Sequence, residues 1–242
     1  MIKHITLSIL SFFDFFHRKK IFKFLNDNQL SNIDILFDVG AHKGETIISF
    51  GKNLNLKKIY SFEASSISCE KLFKNLKKIK SKIPKTEIKI ENLALGSSIK
   101  DIVIKHFSES SSSTIKDINT SSKYFKKKKN FLFGNAEIDY FKEINVKQTT
   151  IDFYMNHEKI NKIDLLKIDA EGCEYDIILG GTKNIQNIKL ILFEHHYDDM
   201  IFKGYKFRDI NKFLLKSNFK QVFKIKMPFR KTFEYIYQNK DI

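Results

Sequence analysis

The sequence predicts an α/β fold: a mostly parallel sheet with helices on both faces. Three observations predict it. Apolar runs of strand length alternate with helix-period segments along most of the chain. A glycine turn joins the first of these strands directly to a helix. An acid follows one strand after another at the same end: Asp38, Glu63, Asp169 and Glu194. Alternation of this kind places crossover helices on the faces of a parallel sheet. Ligands of such sheets sit outside the carboxyl ends of the strands, where the four acids converge.

The chain opens with an N-terminal helical segment, residues 1–32. Leu7, Leu10, Phe13 and Phe16 recur at helical spacing, with His17-Arg18-Lys19-Lys20 behind them. The apolar run is too short to span a bilayer, and no small-residue cleavage site follows. It reads as a helix packed on the domain. The competing reading is an amphipathic stretch over residues 1–20 touching anionic lipid at the inner face of the membrane. A second helical piece covers 22–30.

Residues 33–242 form the main domain. A strand at 34–38 leads through the glycine turn into a helix at 43–53. A strand at 58–62 follows, and then a helix to about residue 80, capped by Ser65 or Ser66. Its Leu72, Phe73, Leu76 and Ile79 share one face, and Pro84 breaks the pattern. Strands follow at 87–91 and 101–107. Residues 108–129 are rich in Ser, Asn and Lys and read as a surface loop, so 108–147 is expected to be a lid or acceptor loop. Regularity returns near Val146, with a short helix at 150–156 and a strand at 163–168. A helix at 173–179 is stopped by Gly180-Gly181. Then come a strand at 188–193, a helix at 207–217, and a hairpin of 219–226 and 232–237 around Met227-Pro228-Phe229.

Composition narrows the partners. The 242 residues carry a formal charge of +15, but only Arg18, Arg208 and Arg230 are arginines. Base readout and bidentate phosphate contacts favour arginine, so the excess reads as a solvated lysine surface and a nucleic-acid partner is not expected. Cys69 and Cys173 make neither a disulfide framework nor a zinc pattern, which suits a reducing cytoplasm.

The turn Asp38-Val39-Gly40-Ala41-His42-Lys43-Gly44 is the first chemical signal. A dinucleotide fingerprint needs glycine where His42 stands, and a P-loop needs Gly-Lys-Ser/Thr where Gly44-Glu45-Thr46 stands. A carboxylate at the mouth of the turn repels phosphate and attracts an ammonium or sulfonium. S-adenosylmethionine fits, with its adenosine and its cationic amino-acid tail. Glu63 lies about twenty residues beyond the turn, where an acid accepts hydrogen bonds from ribose hydroxyls. The alternative for Glu63 is a helix N-terminal acid facing the dipole.

The second signal is Leu166-Lys167-Ile168-Asp169-Ala170-Glu171-Gly172-Cys173-Glu174. Together the two stretches resemble the FkbM family of S-adenosylmethionine-dependent methyltransferases. That family shows D-x-G-A-x-x-G after its first strand, F-E closing the second, N-x-A-L-G after the third and L-K-I-D-x-E-G-x-E at the fourth. The counterparts here are Asp38–Gly44, Phe62-Glu63, Asn92-Leu93-Ala94-Leu95-Gly96 and Leu166–Glu174, with Thr150-Ile151-Asp152 similar to the family's T-L-D piece. The match runs in order over about residues 34–200. Ala64 departs from it, since the family often has proline there.

The resemblance implies a class I methyltransferase fold, Rossmann-like, with a seven-stranded, mostly parallel sheet whose last strand is antiparallel. It implies that Asp38, Gly40, Ala41 and Gly44 border the methionine part of the cofactor, and that Glu63 holds the ribose. Asn92, Ala94 and Leu95 would lie near the adenine. The activity it implies is O-methylation of a hydroxyl, often on a sugar or a secondary metabolite, so the expected partner is a small-molecule or glycan acceptor.

Methyl transfer needs alignment and removal of a proton. Candidate general bases at the strand ends are Asp169, Glu171, His195 and His196. Glu171 and Glu174 could instead cap the following helix. Asp169, Glu171, Glu194 and a histidine could form an oxygen-rich metal site, but their spacing is not distinctive and no metal is expected. Base N-methylation would be expected to show an Asn/Asp-Pro-Pro-aromatic turn where Asp169-Ala170-Glu171-Gly172 stands. A cofactor-binding subunit without catalysis, in a polysaccharide-assembly system, remains the alternative from another class.

Overall fold

The computed structural model describes residues 2–107, 113–133 and 141–242. In chain order the elements are α1 (Ile2–Asp27), β1 (Ile35–Val39), α2 (Glu45–Asn53), β2 (Lys58–Phe62), α3 (Ser66–Lys82), β3 (Glu87–Glu91), β4 (Ala94–Leu95) and β5 (Lys100–Phe107). Next come β6 (Ser113–Thr114), α4 (Lys123–Phe133), β7 (Phe141–Thr149), α5 (Ile151–His157), β8 (Ile163–Ile168) and α6 (Glu174–Leu179). The chain closes with β9 (Ile188–His196), α7 (Phe207–Lys216), β10 (Phe219–Lys226) and β11 (Thr232–Asn239).

The main sheet has seven strands in the order β10-β11-β9-β8-β1-β2-β3. β3, β2, β1, β8 and β9 pair in parallel, while β11 lies antiparallel between β9 and β10. The expected sheet is therefore present. β8, at its centre, is buried at all six positions, as a strand covered on both faces must be. One face packs Phe37, Phe62, Leu166 and Phe193 against Ile151, Ile177 and Leu214 of α5, α6 and α7. The other packs Leu36, Ile59, Leu165 and Leu190 against Ile21 and Leu25 of α1, Phe50 of α2 and Leu72 of α3.

Three expectations need correction. The N-terminal segment is one helix of 26 residues rather than two pieces, because no glycine or proline interrupts residues 2–27. From residue 13 on it packs on the domain: Ile21 and Leu25 are buried, and the Phe22 ring meets Phe50 edge-on at 5.0 Å. The side chains of residues 1–12, on which much of the lipid reading rests, lie outside the described residues.

The segment 108–147 is not a plain loop. β5 pairs antiparallel with both β6 and β7, and β4 adds to β7, giving a second sheet of four strands in the order β4-β7-β5-β6. The basic run at 126–129 lies within α4, whose start is capped by Ser122 accepting from the Phe125 N–H at 3.0 Å. Lysine-rich composition masked both elements, since neither a half-exposed strand nor a surface helix needs a long apolar run. Residues 108–112 and 134–140 lie outside the described residues. Third, β9 runs on to His196, so Glu194, His195 and His196 stand on the strand rather than after it.

Candidate active site

β1 ends at Val39 and turns through Gly40–Gly44 into α2. Gly40 has φ +84°, and a Cβ there would lie 1.9 Å from the Asp169 carbonyl oxygen. Gly44 has φ +91°, and its Cβ would lie 2.5 Å from Ile79 and 2.9 Å from Leu72 on α3. Gly40 is thus demanded by protein packing as well as by backbone conformation, and Gly44 by its backbone conformation, since the methyl tips facing it can shift. Glu63 closes β2 and accepts from the His42 N–H at 2.8 Å and the Ser65 N–H at 2.9 Å. Its carboxylate ties the glycine turn to the start of α3. Burial raises its pKa, and the two backbone N–H groups oppose that rise. The Asn92 amide donates to the Glu63 and Ala64 carbonyls at 2.8 and 3.1 Å, fixing the turn that lacks proline.

A row of charges crosses the sheet at its carboxyl edge. Asp38 on β1 is fully buried and lies directly across from Lys167 on β8. Lys167 Nζ is 3.4 Å from Asp38 Oδ1 and 3.4 Å from Asp169 Oδ2. Burial works against the ammonium, but the carboxylates of Asp169, Asp38, Glu194 and Glu234 outweigh it and raise its pKa. Lys167 is therefore charged. One strand further, Glu194 on β9 stands opposite Glu234 on β11 in register. Like charges placed so are destabilising unless one takes a proton or a cation intervenes. Glu234 is engaged by His17 of α1 in a short buried hydrogen bond. Glu194 is pushed well above the usual carboxylate range by burial, then by Asp169 and Glu234.

The two histidines divide. His196 Nε2 lies 3.7 Å from Glu194 and 3.8 Å from Glu171, and Nδ1 shares a 3.0 Å hydrogen bond with the Thr232 hydroxyl. Burial would lower its pKa, but Asp198, Glu171 and Glu194 push it up to about 10. His195, next along the strand, points to the other face, its ring 4.7 Å from Tyr197 and 5.7 Å from Phe207. Burial, with Lys203 and His196, lowers its pKa to about 4. Glu174 is structural: it accepts from the Gly172 N–H at 2.9 Å and from the Tyr205 hydroxyl.

These strand ends open on a cavity of about 550 Å³. Of the residues the sequence singled out, Gly40, Ala41, Glu63, Ala94, Leu95, Asp169 and Glu171 line it. Asp38, Gly44, Asn92, His195 and His196 do not. Asp38 lies behind Lys167, Gly44 packs on α3, Asn92 braces the turn behind Glu63, and His196 stands behind Glu171 and Glu194. His42 and Glu171, both at the wall, have φ of +49° and +45°. Such backbone costs about 1–3 kcal/mol per residue and is found clustered at binding sites.

Sequence reasoning missed Lys167, Glu234, His17, Asp14 and Arg230, all of which line the cavity. Lys167 carried a signal: a lysine inside an otherwise apolar central strand needs a buried partner. The others carried none. Asp14 and Arg230 meet at 3.0 Å, and His17 and Glu234 are 217 residues apart in sequence. Among the described residues no group of three or more His, Cys, Asp or Glu side chains is arranged to hold a metal ion.

The sequence matches the Methyltransferase FkbM domain over residues 38–221, more than half of the chain. The chain belongs to the FkbM methyltransferase family. Among solved structures it is similar to a methyltransferase FkbM from Methylobacillus flagellatus KT, with a TM-score of 0.56 and 11% identity over 86% of this chain and 44% of that one. It thus spans less than half of that relative. It is also similar to magnesium protoporphyrin IX methyltransferase from Synechocystis PCC 6803, solved with S-adenosylmethionine, at a TM-score of 0.46 and 8% identity over 98% of this chain and 79% of that one. A third is TrmK from M. capricolum in complex with S-adenosylhomocysteine, at a TM-score of 0.45 and 12% identity over 88% and 67% of the two chains. No curated protein matches the sequence. The fold is that of the class I methyltransferases, and the cofactor of this FkbM domain is S-adenosylmethionine.

The residues present fit that cofactor. Glu63, at the end of β2, keeps lone pairs beyond the two it gives to backbone N–H groups, which suits ribose hydroxyls. Leu93, Ala94, Leu95, Ile102 and Ile104 make an apolar wall suited to a purine face. Asp169 offers a carboxylate towards a cationic sulfur or ammonium.

Proposed function

We propose that this FkbM domain transfers a methyl group from S-adenosylmethionine to a hydroxyl of a sugar, glycan or glycolipid. One observation carries the reading: the carboxylate row of Asp169, Glu194 and Glu234 beside Lys167 on the cavity wall. Carboxylates accept hydrogen bonds from hydroxyls, and an acceptor bearing several hydroxyls can use several of them. The bound cofactor supplies a methyl group on positively charged sulfur. The chain's own residues orient the hydroxyl and take its proton. Alignment lowers such a barrier by up to about 7–11 kcal/mol, and a general base adds roughly a hundred- to ten-thousandfold.

The base is a carboxylate. His195 faces away from the cavity, and His196 is an imidazolium at neutral pH, with no lone pair to offer. Of Asp169, Glu171 and Glu194, the last has its basicity raised by burial and by its acidic neighbours, and it receives the proton. His196 and Lys167 then offset the charge that remains.

The test has two arms. Calorimetry is expected to show micromolar binding of S-adenosylmethionine, and preferential binding of NADH would sink the reading. Mass spectrometry of a panel of methyl glycosides and glycolipids is expected to show gain of one methylene with the wild type. Glu194→Gln should cut that rate about a hundredfold or more while cofactor affinity stays within about twofold. Full activity in Glu194→Gln moves the base elsewhere. Cofactor binding with no transfer to any hydroxyl acceptor favours a non-catalytic subunit.

A further inference from the structure

α1 lies outside the span that matches the family, residues 38–221, yet it supplies Asp14, His17, Arg18 and Ile21 to the cavity wall. Three of these carry charge or a titratable ring, and two are already committed. Asp14 pairs with Arg230 at 3.0 Å, and His17 bonds Glu234. Glu45, on the same side of the cavity, pairs with His42 at 3.3 Å. Arg18 is half-buried, lines the cavity, and has no hydrogen-bond or ion-pair partner among the described residues. A partly desolvated guanidinium with five donors and no acceptor is costly in that state, and its complement is a carboxylate or phosphate.

The packing of α1 says where that anion sits. α1 and α2 both run from the carboxyl edge of the sheet to its opposite edge, since α1 leads into β1 and α2 leaves it. Their Phe22 and Phe50 rings touch at 5.0 Å. One turn back along each helix are Arg18 and Thr46, four residues before Phe22 and Phe50, and both line the cavity. Arg18 therefore stands beside the first turn of α2, next to the Gly40–Gly44 turn. We propose that Arg18 binds the carboxylate of the cofactor's amino-acid end, so that α1 supplies part of the cofactor site from outside the family-matched span. The inference rests on S-adenosylmethionine as the cofactor. It divides the labour of the wall: Asp169, at the end of β8, faces the cationic sulfur and ammonium, and Arg18 of α1 faces the carboxylate.

The test compares two ligands on the full chain by calorimetry: S-adenosylhomocysteine, and 5′-methylthioadenosine, which keeps the adenosine and thioether but lacks the amino acid. Arg18→Ala should weaken S-adenosylhomocysteine about tenfold or more and change methylthioadenosine by less than about twofold. Arg18→Lys should recover part of the loss, as a cation without the bidentate fork. Unchanged affinity for S-adenosylhomocysteine in Arg18→Ala overturns the proposal. So does an equal loss for both ligands, which would mean that the substitution disturbs the whole pocket. Failure of the wild type to bind S-adenosylhomocysteine would remove the cofactor reading itself, a result distinct from a wild type that binds and an Arg18→Ala variant that binds equally.

Discussion

His196 and Glu194 are two residues apart on β9, so they share one face of the sheet and stand 3.7 Å apart at its edge. The histidine is held as a cation by carboxylates on three sides, Asp198, Glu171 and Glu194, and its pKa rises to about 10. A group whose folded pKa exceeds its unfolded value, about 6.5 for histidine, contributes stability that is complete below the unfolded value. That contribution is lost as pH climbs through the folded value. Glu194, raised by burial, adds a loss in the same direction above the ordinary carboxylate range. Denaturant unfolding between pH 6 and 9.5 should therefore show the wild type losing stability steeply, and His196→Gln following a flatter curve. Parallel curves would show that His196 is not charged in the fold. Asp38 illustrates what spacing could and could not supply at this scale. Its place at the end of β1 was legible from the apolar run before it. Its direct opposition to Lys167 depends on the β1–β8 register, which joins strands far apart in sequence.

At the scale of elements, α1 is held by three kinds of contact. Ile21 and Leu25 enter the core, His17 reaches Glu234 on β11, and Asp14 reaches Arg230 in the β10–β11 turn. The middle contact is buried, so removing it strands a carboxyl oxygen without its partner. His17→Ala should cost roughly 1–3 kcal/mol, whereas Asp14→Asn, which breaks a more open pair, should cost about 0–1. Hydrogen exchange should locate the first loss in α1 and the hairpin, with β1, β2 and β8 protected as in the wild type. Exchange that quickens uniformly would show α1 to be no separate unit. The helical character of the segment was legible, because apolar spacing is a local property, but its continuity was missed although no glycine or proline breaks it. The clamp was not, because its two ends belong to opposite termini. The same division holds elsewhere. β2, β3 and β8 have the bounds that their apolar runs indicate. β7 and α4 escaped notice because their exposed faces are filled with Lys, Glu, Asn and Gln, which dilutes a period-2 or helical signal.

Across the whole molecule, a strongly basic exterior encloses an acid-rich cavity. The formal charge is +15, yet seven acids, Asp14, Glu45, Glu63, Asp169, Glu171, Glu194 and Glu234, reach the cavity wall against four cations, Arg18, Lys43, Lys167 and Arg230. At physiological salt, surface charges beyond about 8 Å are screened, so the near carboxylates set the potential that a ligand meets inside. That favours a cationic cofactor over a dinucleotide with its pyrophosphate, on grounds independent of the glycine turn. The cavity also draws on parts of the chain far apart in sequence: α1, the ends of β1, β2 and β8, the second sheet through Ile102, Ile104 and Gln148, and the C-terminal hairpin through Met227 and Arg230. A ligand that fills it binds only the folded chain, and its free energy adds to global stability. At a hundred times its dissociation constant such a ligand contributes about 2.7 kcal/mol. For a domain of this size each kcal/mol raises the melting temperature by about 2–4 °C, so S-adenosylhomocysteine should raise it by roughly 5–10 °C. NADH at the same concentration should leave it within about 1 °C, since a ligand that does not bind contributes nothing through this relation. An equal rise with both ligands would mean that the acid wall does not discriminate. No rise with S-adenosylhomocysteine would mean that helix, sheet edge and hairpin do not meet around this cofactor.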